Sequence, residues 1–460
     1  MNKRILAFIV AVWACFVLVS CGGGSGGNAT VSGLNDRVLA SQEVTSALSI
    51  GSLVIVNGWN DTLPRAAPIQ AGNSPGLMAI SPSRNFVAVF DASGKNIWGI
   101  NTLTEKAIGD VNIPGLTQSI IVPTSSPVAY AAIPGATLPG FEFTGAVSMV
   151  NLQTQSILTI AVPQAQTVVS DSTGTTLLVF SNGSDFITLL NPALASPPVD
   201  TSCLQAIPNQ NSPNAVCTII SEPMGSRPVY AIVNGETAYV FNCGYECGGV
   251  TSSGAPAVPS IAVLNLSSLT VTATIQVNGA TYGLLNESTL YVAGLGTPTG
   301  PTCASLTNPI NPKTAATYCG TLDIVNLSTM TDPYYNNASA EIAIPDGFHN
   351  QMDLSFNGQL FVGSKNCTNI GDEDNPSGEV RGCLAIYNTN SNALIIPPDN
   401  GDVDGLQGFT TRYIEYVAEG GNLRVYDTQT GTLYINSQYL PQGSIDIVGY
   451  VGDVKAIDFF

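Results

Sequence analysis

Charge is scarce in this sequence. Only 10% of its 460 residues are Asp, Glu, Lys or Arg, and 14 basic residues face 32 acids, for a formal charge of -18. A nucleic-acid surface needs clustered Lys and Arg, so that class of partner is excluded. Histidine occurs once, as His349. Triads, histidine-rich copper sites and haem pockets that need several His therefore lack their parts. Beyond residue 50 no apolar run approaches the roughly 20 residues of a membrane-spanning helix. What is present is 44% hydrophobic residues, 46 Gly and 29 Pro, with much Thr, Ser and Asn. That mixture excludes a disordered polyelectrolyte and favours a β-rich chain with many turns.

The N-terminus reads as an address. Lys3 and Arg4 precede an uncharged run from Ile5 to Val19, short for a membrane span at about 15 residues. It ends in Leu18-Val19-Ser20-Cys21, which resembles the lipobox of bacterial lipoproteins. The resemblance implies cleavage before Cys21 and lipid on that residue; the alternative is an uncleaved signal anchor. Gly22-Gly23-Gly24-Ser25-Gly26-Gly27 then makes a flexible tether. Gly22, where Asp would signal inner-membrane retention, implies an outer-membrane address. The division expected is a signal peptide over 1–20, a tether over 21–50 and a folded domain over 51–460. The acidic balance leaves acyl chains as the only membrane contact.

Apart from Cys15 and Cys21, eight cysteines fall as near neighbours: Cys203 and Cys217, Cys243 and Cys247, Cys303 and Cys319, Cys367 and Cys383. An even number in an exported chain argues for disulfides, paired locally. The rival reading is zinc, for which Cys243 and Cys247 have a tolerable spacing.

An apolar strand ending in Asn or Asp recurs along the chain. The copies are Val56-Asn57, Ile100-Asn101, Val150-Asn151, Leu190-Asn191, Leu264-Asn265, Val325-Asn326, Tyr387-Asn388 and Tyr426-Asp427. Most are followed within three residues by Thr or Ser, the mark of a side-chain-capped turn. Before each lie two more strands joined by a tight turn, as at Met352 to Phe356, Asn357-Gly358, then Gln359 to Val362. Four strands per unit predict an all-β fold, a single β-propeller of four-stranded blades. The stretch Ala71 to Phe90 resembles the YVTN-type propeller repeat, which implies a ring of blades and no particular activity. Eight blades are counted, seven if the 190s to 220s form an insertion; a lectin-like sandwich is the alternative. The termini are expected to share one blade. Ile445–Val451 and Val454–Phe460 would be its first and second strands, Leu53–Asn57 and Ala67–Gln70 its third and fourth.

Connections between second and third strands, and between blades, look long: 134–145, 243–259, 294–320 and 365–382. Cys203 and Cys217 are read as lying between blades and the other pairs between second and third strands. One face would then carry stapled loops, the usual place for function on a rigid scaffold. Phe141, Phe143, Tyr245 and Tyr318 are candidate aromatic anchors there, beside the acids Asp372 and Asp374. Asn400, Asp402 and Asp404, with Gly405, match the opening of a calcium loop without its bidentate Glu; the other reading is a solvated acidic turn. His349 reads as a hydrogen-bonded structural residue or a general base at the channel rim. The expectation is therefore a monomeric ring, lipid-anchored through Cys21, that binds a protein or glycan by its stapled face. The alternative is a metal-dependent hydrolase or lactonase with acids at the channel mouth.

Overall fold

The computed structural model describes residues 31–43, 50–140, 142–210, 215–295, 320–337, 340–367, 383–397, 401–409 and 411–458. They form eight antiparallel sheets arranged as blades of one propeller. Blade 1 runs from Pro75–Ile80 to Lys106–Asn112, blade 2 from Ser119–Ile121 to Ser156–Ala161, and blade 3 from Ala165–Ser170 to Cys217–Ser221. Blade 4 spans Pro228–Asn234 to Thr270–Gln276, blade 5 Tyr282–Asn286 to Ile342–Ile344 and blade 6 Phe348–Leu354 to Leu394–Ile395. Blade 7 begins with Val403–Phe409 and ends with Thr432–Leu433. The first strand of each blade touches the first strand of the next, all the way round. Eight blades, not seven, close the ring.

The recurring Asn or Asp ends the third strand of every blade. Its side chain accepts from the backbone N–H two or three residues on, at Asn57, Asn101, Asn151, Asn191, Asn265, Asn326, Asn388 and Asp427. That Asx turn reverses the chain into the fourth strand. In seven blades the fourth residue after the Asn or Asp is left-handed: Asp61, Glu105, Gln155, Leu269, Met330, Asn392 and Gly431. Blade 3 is the exception, because Asn191 instead caps the 3-10 turn Pro192–Leu194. The core lies between blades, since both faces of each sheet are apolar. Ala88, Phe90 and Ile97 of blade 1 pack on Ala129, Ala131 and Ile133 of blade 2, and each such burial of a large aliphatic contributes about 1.5–3 kcal/mol.

The closing blade differs from the expectation. Its order is Ile69–Gln70, Ser52–Asn57, Arg37–Gln42, Val454–Ala456. Three strands come from the N-terminal side and one from the C-terminal side. The stretch read as tether thus contributes the second strand, Arg37–Gln42, whose Val38, Leu39 and Ala40 are fully buried. Ser444–Ile445 pairs instead with Asn422–Asp427 of blade 7. Asp453 holds the seam: its carboxylate accepts from the N–H of Met78 in blade 1 (2.7 Å) and from Lys455 (2.8 Å).

Strand alternation sends connections between strands 2 and 3, and between blades, to one face (the loop face), and those between strands 1 and 2 and between 3 and 4 to the other (the turn face). Three disulfides join near neighbours, Cys203–Cys217, Cys243–Cys247 and Cys367–Cys383, with Cα separations of 5.1, 5.7 and 5.7 Å. Cys243 and Cys247 are therefore a disulfide and not a zinc site; Cys303 and Cys319 lie outside the described residues. Disulfides of this kind place the domain outside the cytoplasm. Cys203 and Cys217 do not lie between blades. They bracket the connection from strand 3 to strand 4 of blade 3, so this excursion sits on the turn face. Its Val199–Asp200 pairs in parallel with Ser156–Ala161 and covers the outer edge of blade 2. Stapling is thus shared between the two faces. The connection expected over 134–145 is also shorter, because Val128–Thr137 and Thr144–Asn151 already pair at Thr137 and Thr144. Among the described residues no helix is long and apolar enough to cross a membrane.

Candidate ligand site

On the turn face, where first strands end in tight turns, the channel mouth opens into a recess of about 130 Å³. Three blades supply its polar groups. Arg84 comes from the first turn of blade 1, Asp353 and Ser355 from the end of the first strand of blade 6, and Gln407 and Thr428 from blade 7. Arg84 is anchored by an Nη1 that donates to the Ala456 carbonyl at 2.7 Å, and Gln407 Oε1 accepts from the Ala456 N–H at 3.2 Å. The single C-terminal strand of the closing blade therefore positions both. The Thr428 hydroxyl is buried and has no partner among the described residues. Phe356 and Tyr413 stand at the turns beside it, 54% and 41% exposed, with ring centroids 4.6 Å apart.

Asp353 is a firmly held side chain of the recess. Its Oδ2 accepts from Gly408 N–H at 2.6 Å and its Oδ1 from Leu354 N–H at 2.9 Å. Behind it lies Glu415, wholly buried in the strand Ile414–Glu419, with no donor on either oxygen. The two carboxyls pack over Gly408, where a Cβ would come within 3.0 Å of an oxygen of each. A larger residue there would push one or both carboxyls aside. Burial first, then the charge of Asp353, pushes the Glu415 carboxyl well above the carboxylate range. Glu415 is thus held toward its neutral form, with the Asp353 carboxylate as the side-chain acceptor beside it. Deeper in the channel, burial and the charges of Asp353 and Asp453 push the Tyr282 phenol up, and its ring stacks on Tyr230 at 4.5 Å.

The residues picked out in the sequence are dispersed. Tyr245 is held inside its loop, its hydroxyl between the carbonyls of Asn278 (3.3 Å) and Leu295 (3.2 Å). Phe143 packs against the core between blades 1 and 2. Both are half-buried and pack inward. Phe141, Tyr318, Asp372, Asp374, Asn400 and Cys21 lie outside the described residues. Asp402 accepts from Asn366 N–H at 2.7 Å, whereas Asp404 faces the Lys365 ammonium and the Tyr450 hydroxyl. An ion at Asp404 would have to displace that lysine. Among the described residues no three His, Cys, Asp or Glu side chains converge as a metal cage requires. His349 is buried, with Nε2 2.9 Å from the Pro345 carbonyl. Burial pushes its imidazole down to about 4, the state of a structural histidine.

No family model matches the sequence, and no curated protein does. Among solved structures, the chain is similar to the dihydro-heme d1 dehydrogenase NirN in complex with DHE, with a TM-score of 0.55 and 12% identity over 96% of this chain and 78% of that one. Looser likenesses are to the periplasmic gluconolactonase PpgL of Pseudomonas aeruginosa (TM-score 0.45, 13% identity, 92% of this chain and 99% of that one) and to Kuenenia stuttgartiensis hydrazine synthase (0.49, 12%, 77% and 95%). At such identity the likeness to NirN speaks to the fold alone, and the other two carry no argument.

Proposed function

We propose that this protein is an extracytoplasmic binding module whose turn-face recess takes a sugar unit of a glycan. One observation carries the reading: polar groups of both signs converge in a small recess beside an exposed aromatic pair. A sugar offers matching chemistry. Its hydroxyls donate to Asp353 and accept from Arg84 and Thr428, while its C–H face lies on Phe356 and Tyr413. The volume suits one sugar unit and not a long segment. Binding is favoured over hydrolysis because glycoside cleavage needs two carboxyls flanking the ligand, whereas Asp353 is tied to two backbone N–H groups and Glu415 is wholly buried behind it. In this reading the ring is a monomer of the YVTN repeat type, tethered to the outer membrane through lipid on Cys21. Loss of palmitate labelling in a Cys21→Ser variant tests the anchor.

Calorimetric titration with the methyl glycosides of glucose, galactose, mannose and N-acetylglucosamine tests the site. We expect one of the four to bind. Asp353→Asn should weaken it by about tenfold to a hundredfold, the worth of a charged hydrogen bond, and Phe356→Ala by about tenfold. Both variants should keep the wild-type circular dichroism spectrum. Equal affinity in wild type and both variants, or no binding by any of the four, overturns the proposal.

A further inference from the structure

The recess contains a group that its ligand cannot reach. Glu415 is wholly buried, yet its carboxyl touches the back of Asp353, the acceptor that faces the ligand. A carboxylate has about four acceptor positions. Gly408 N–H and Leu354 N–H occupy two of those on Asp353. The Glu415 proton takes a third, which leaves one for a ligand hydroxyl.

The surroundings offer no second way to accommodate two charges. From the strand Phe348–Leu354 the charged group facing Glu415 is Asp353 itself. From Val403–Phe409 it meets Gln407 and Gly408, which are neutral. On its own sheet the residue opposite is Tyr426, whose hydroxyl is committed to Glu419 at 2.9 Å. Arg84 lines the far side of the recess, tied to Ala456. Lys455 is paired with Asp453. Like charges at contact distance in a buried site cannot both ionise without disrupting it.

We propose that the recess is a proton-linked site: Asp353 is held in place to bind a ligand hydroxyl only while Glu415 carries its proton, and the ligand is released as the pH rises. This rests on the reading of the recess as a sugar site. Deprotonation would leave two anions flanking Gly408. Their repulsion turns Asp353 away from Gly408 N–H and breaks the alignment with Arg84. Glu415 is a positioning residue here, since it acts through Asp353.

The same four methyl glycosides serve as probes, titrated from about pH 5 to about pH 10 against wild type and Glu415→Gln. The amide keeps the shape of the protonated acid and still donates to Asp353. Wild-type affinity should fall by about tenfold or more over that range, the worth of one disrupted hydrogen-bonded alignment, while Glu415→Gln should stay level. Equal pH slopes in the two proteins overturn the proposal. Should no glycoside bind at any pH, the sugar reading fails and thermal melting decides the linkage alone. An acid raised on folding stabilises the protein fully at low pH, and that contribution is lost as the pH rises through its folded value. The melting temperature of wild type should therefore drop with rising pH relative to Glu415→Gln; parallel curves overturn the linkage.

Discussion

The loop face and the turn face of this ring are built on opposite plans. On the loop face the described connections range from three residues, between Ile344 and Phe348, to the stapled loop between Asn242 and Ser260, whose Tyr245 turns inward to fill it. On the turn face seven of eight blades use the same Asx turn with a left-handed fourth residue, and the excursion of blade 3 folds outward over blade 2. The recess opens on this second, more regular face. Long loops draw the eye as sites of function, but a long loop must first satisfy its own backbone, and its side chains are spent doing so. Short turns satisfy themselves with one Asn or Asp, which leaves the channel mouth uncovered.

The largest effect expected concerns the loop face and acid. His349 sits there in a neutral, buried state near 4, below its ordinary value of 6.5. A base depressed on folding stabilises the protein above its unfolded value, and the contribution is lost as the pH falls through the folded one. Wild type should lose about 3 kcal/mol between pH 6.5 and 4 from this group, and urea unfolding of His349→Gln should show a flatter acid limb. An unchanged acid limb would mean that His349 plays no part in holding the loop face. The disulfides compare the faces directly. Replacing Cys203 and Cys217 by Ser should cost about 3 kcal/mol, and replacing Cys243 and Cys247 about 2 kcal/mol, because the closed loop is shorter. Neither double variant should alter glycoside affinity; a loss of binding in the Cys243 and Cys247 variant would move the working site back to the loop face. The smallest effect is a gain. Met330 holds a left-handed turn position with φ 53°, where glycine carries no Cβ penalty. Met330→Gly should raise stability by about 1 kcal/mol in urea unfolding. A loss instead would show that the turn is held by contacts of the methionine side chain.

The blade count was legible because one local device, the Asn or Asp at the end of each third strand, repeats in sequence. The strand Arg37–Gln42 was not. It lacks that mark and follows a glycine-rich stretch of sequence, so only its pairing with Ser52–Asn57 and Val454–Ala456 identifies it. Cys203 and Cys217 were misplaced because Cys217–Ser221 looks like the start of a new unit, although its register with Phe186–Leu190 makes it the end of the old one. The recess was invisible for a different reason. Arg84, Asp353 and Glu415 come from blades 1, 6 and 7, and ring closure alone brings them together. One sign was available: two acids, Glu415 and Glu419, in a strand that is buried throughout demand partners.

The seam at Val454–Ala456 has a consequence for the order of events during synthesis and export. Seven blades are complete in sequence before residue 446, yet the eighth waits for Val454–Ala456, which follows all of them. Until it arrives the edge of the three-stranded sheet at Arg37–Gln42 stays unpaired, the first strand of blade 7 lacks its neighbour, and Arg84 and Gln407 have no Ala456 to hold them. The recess thus cannot take its final shape before Val454–Ala456 has paired with Arg37–Gln42. A truncated copy lacking residues 453–458 would be delivered with neither a closed ring nor a working recess.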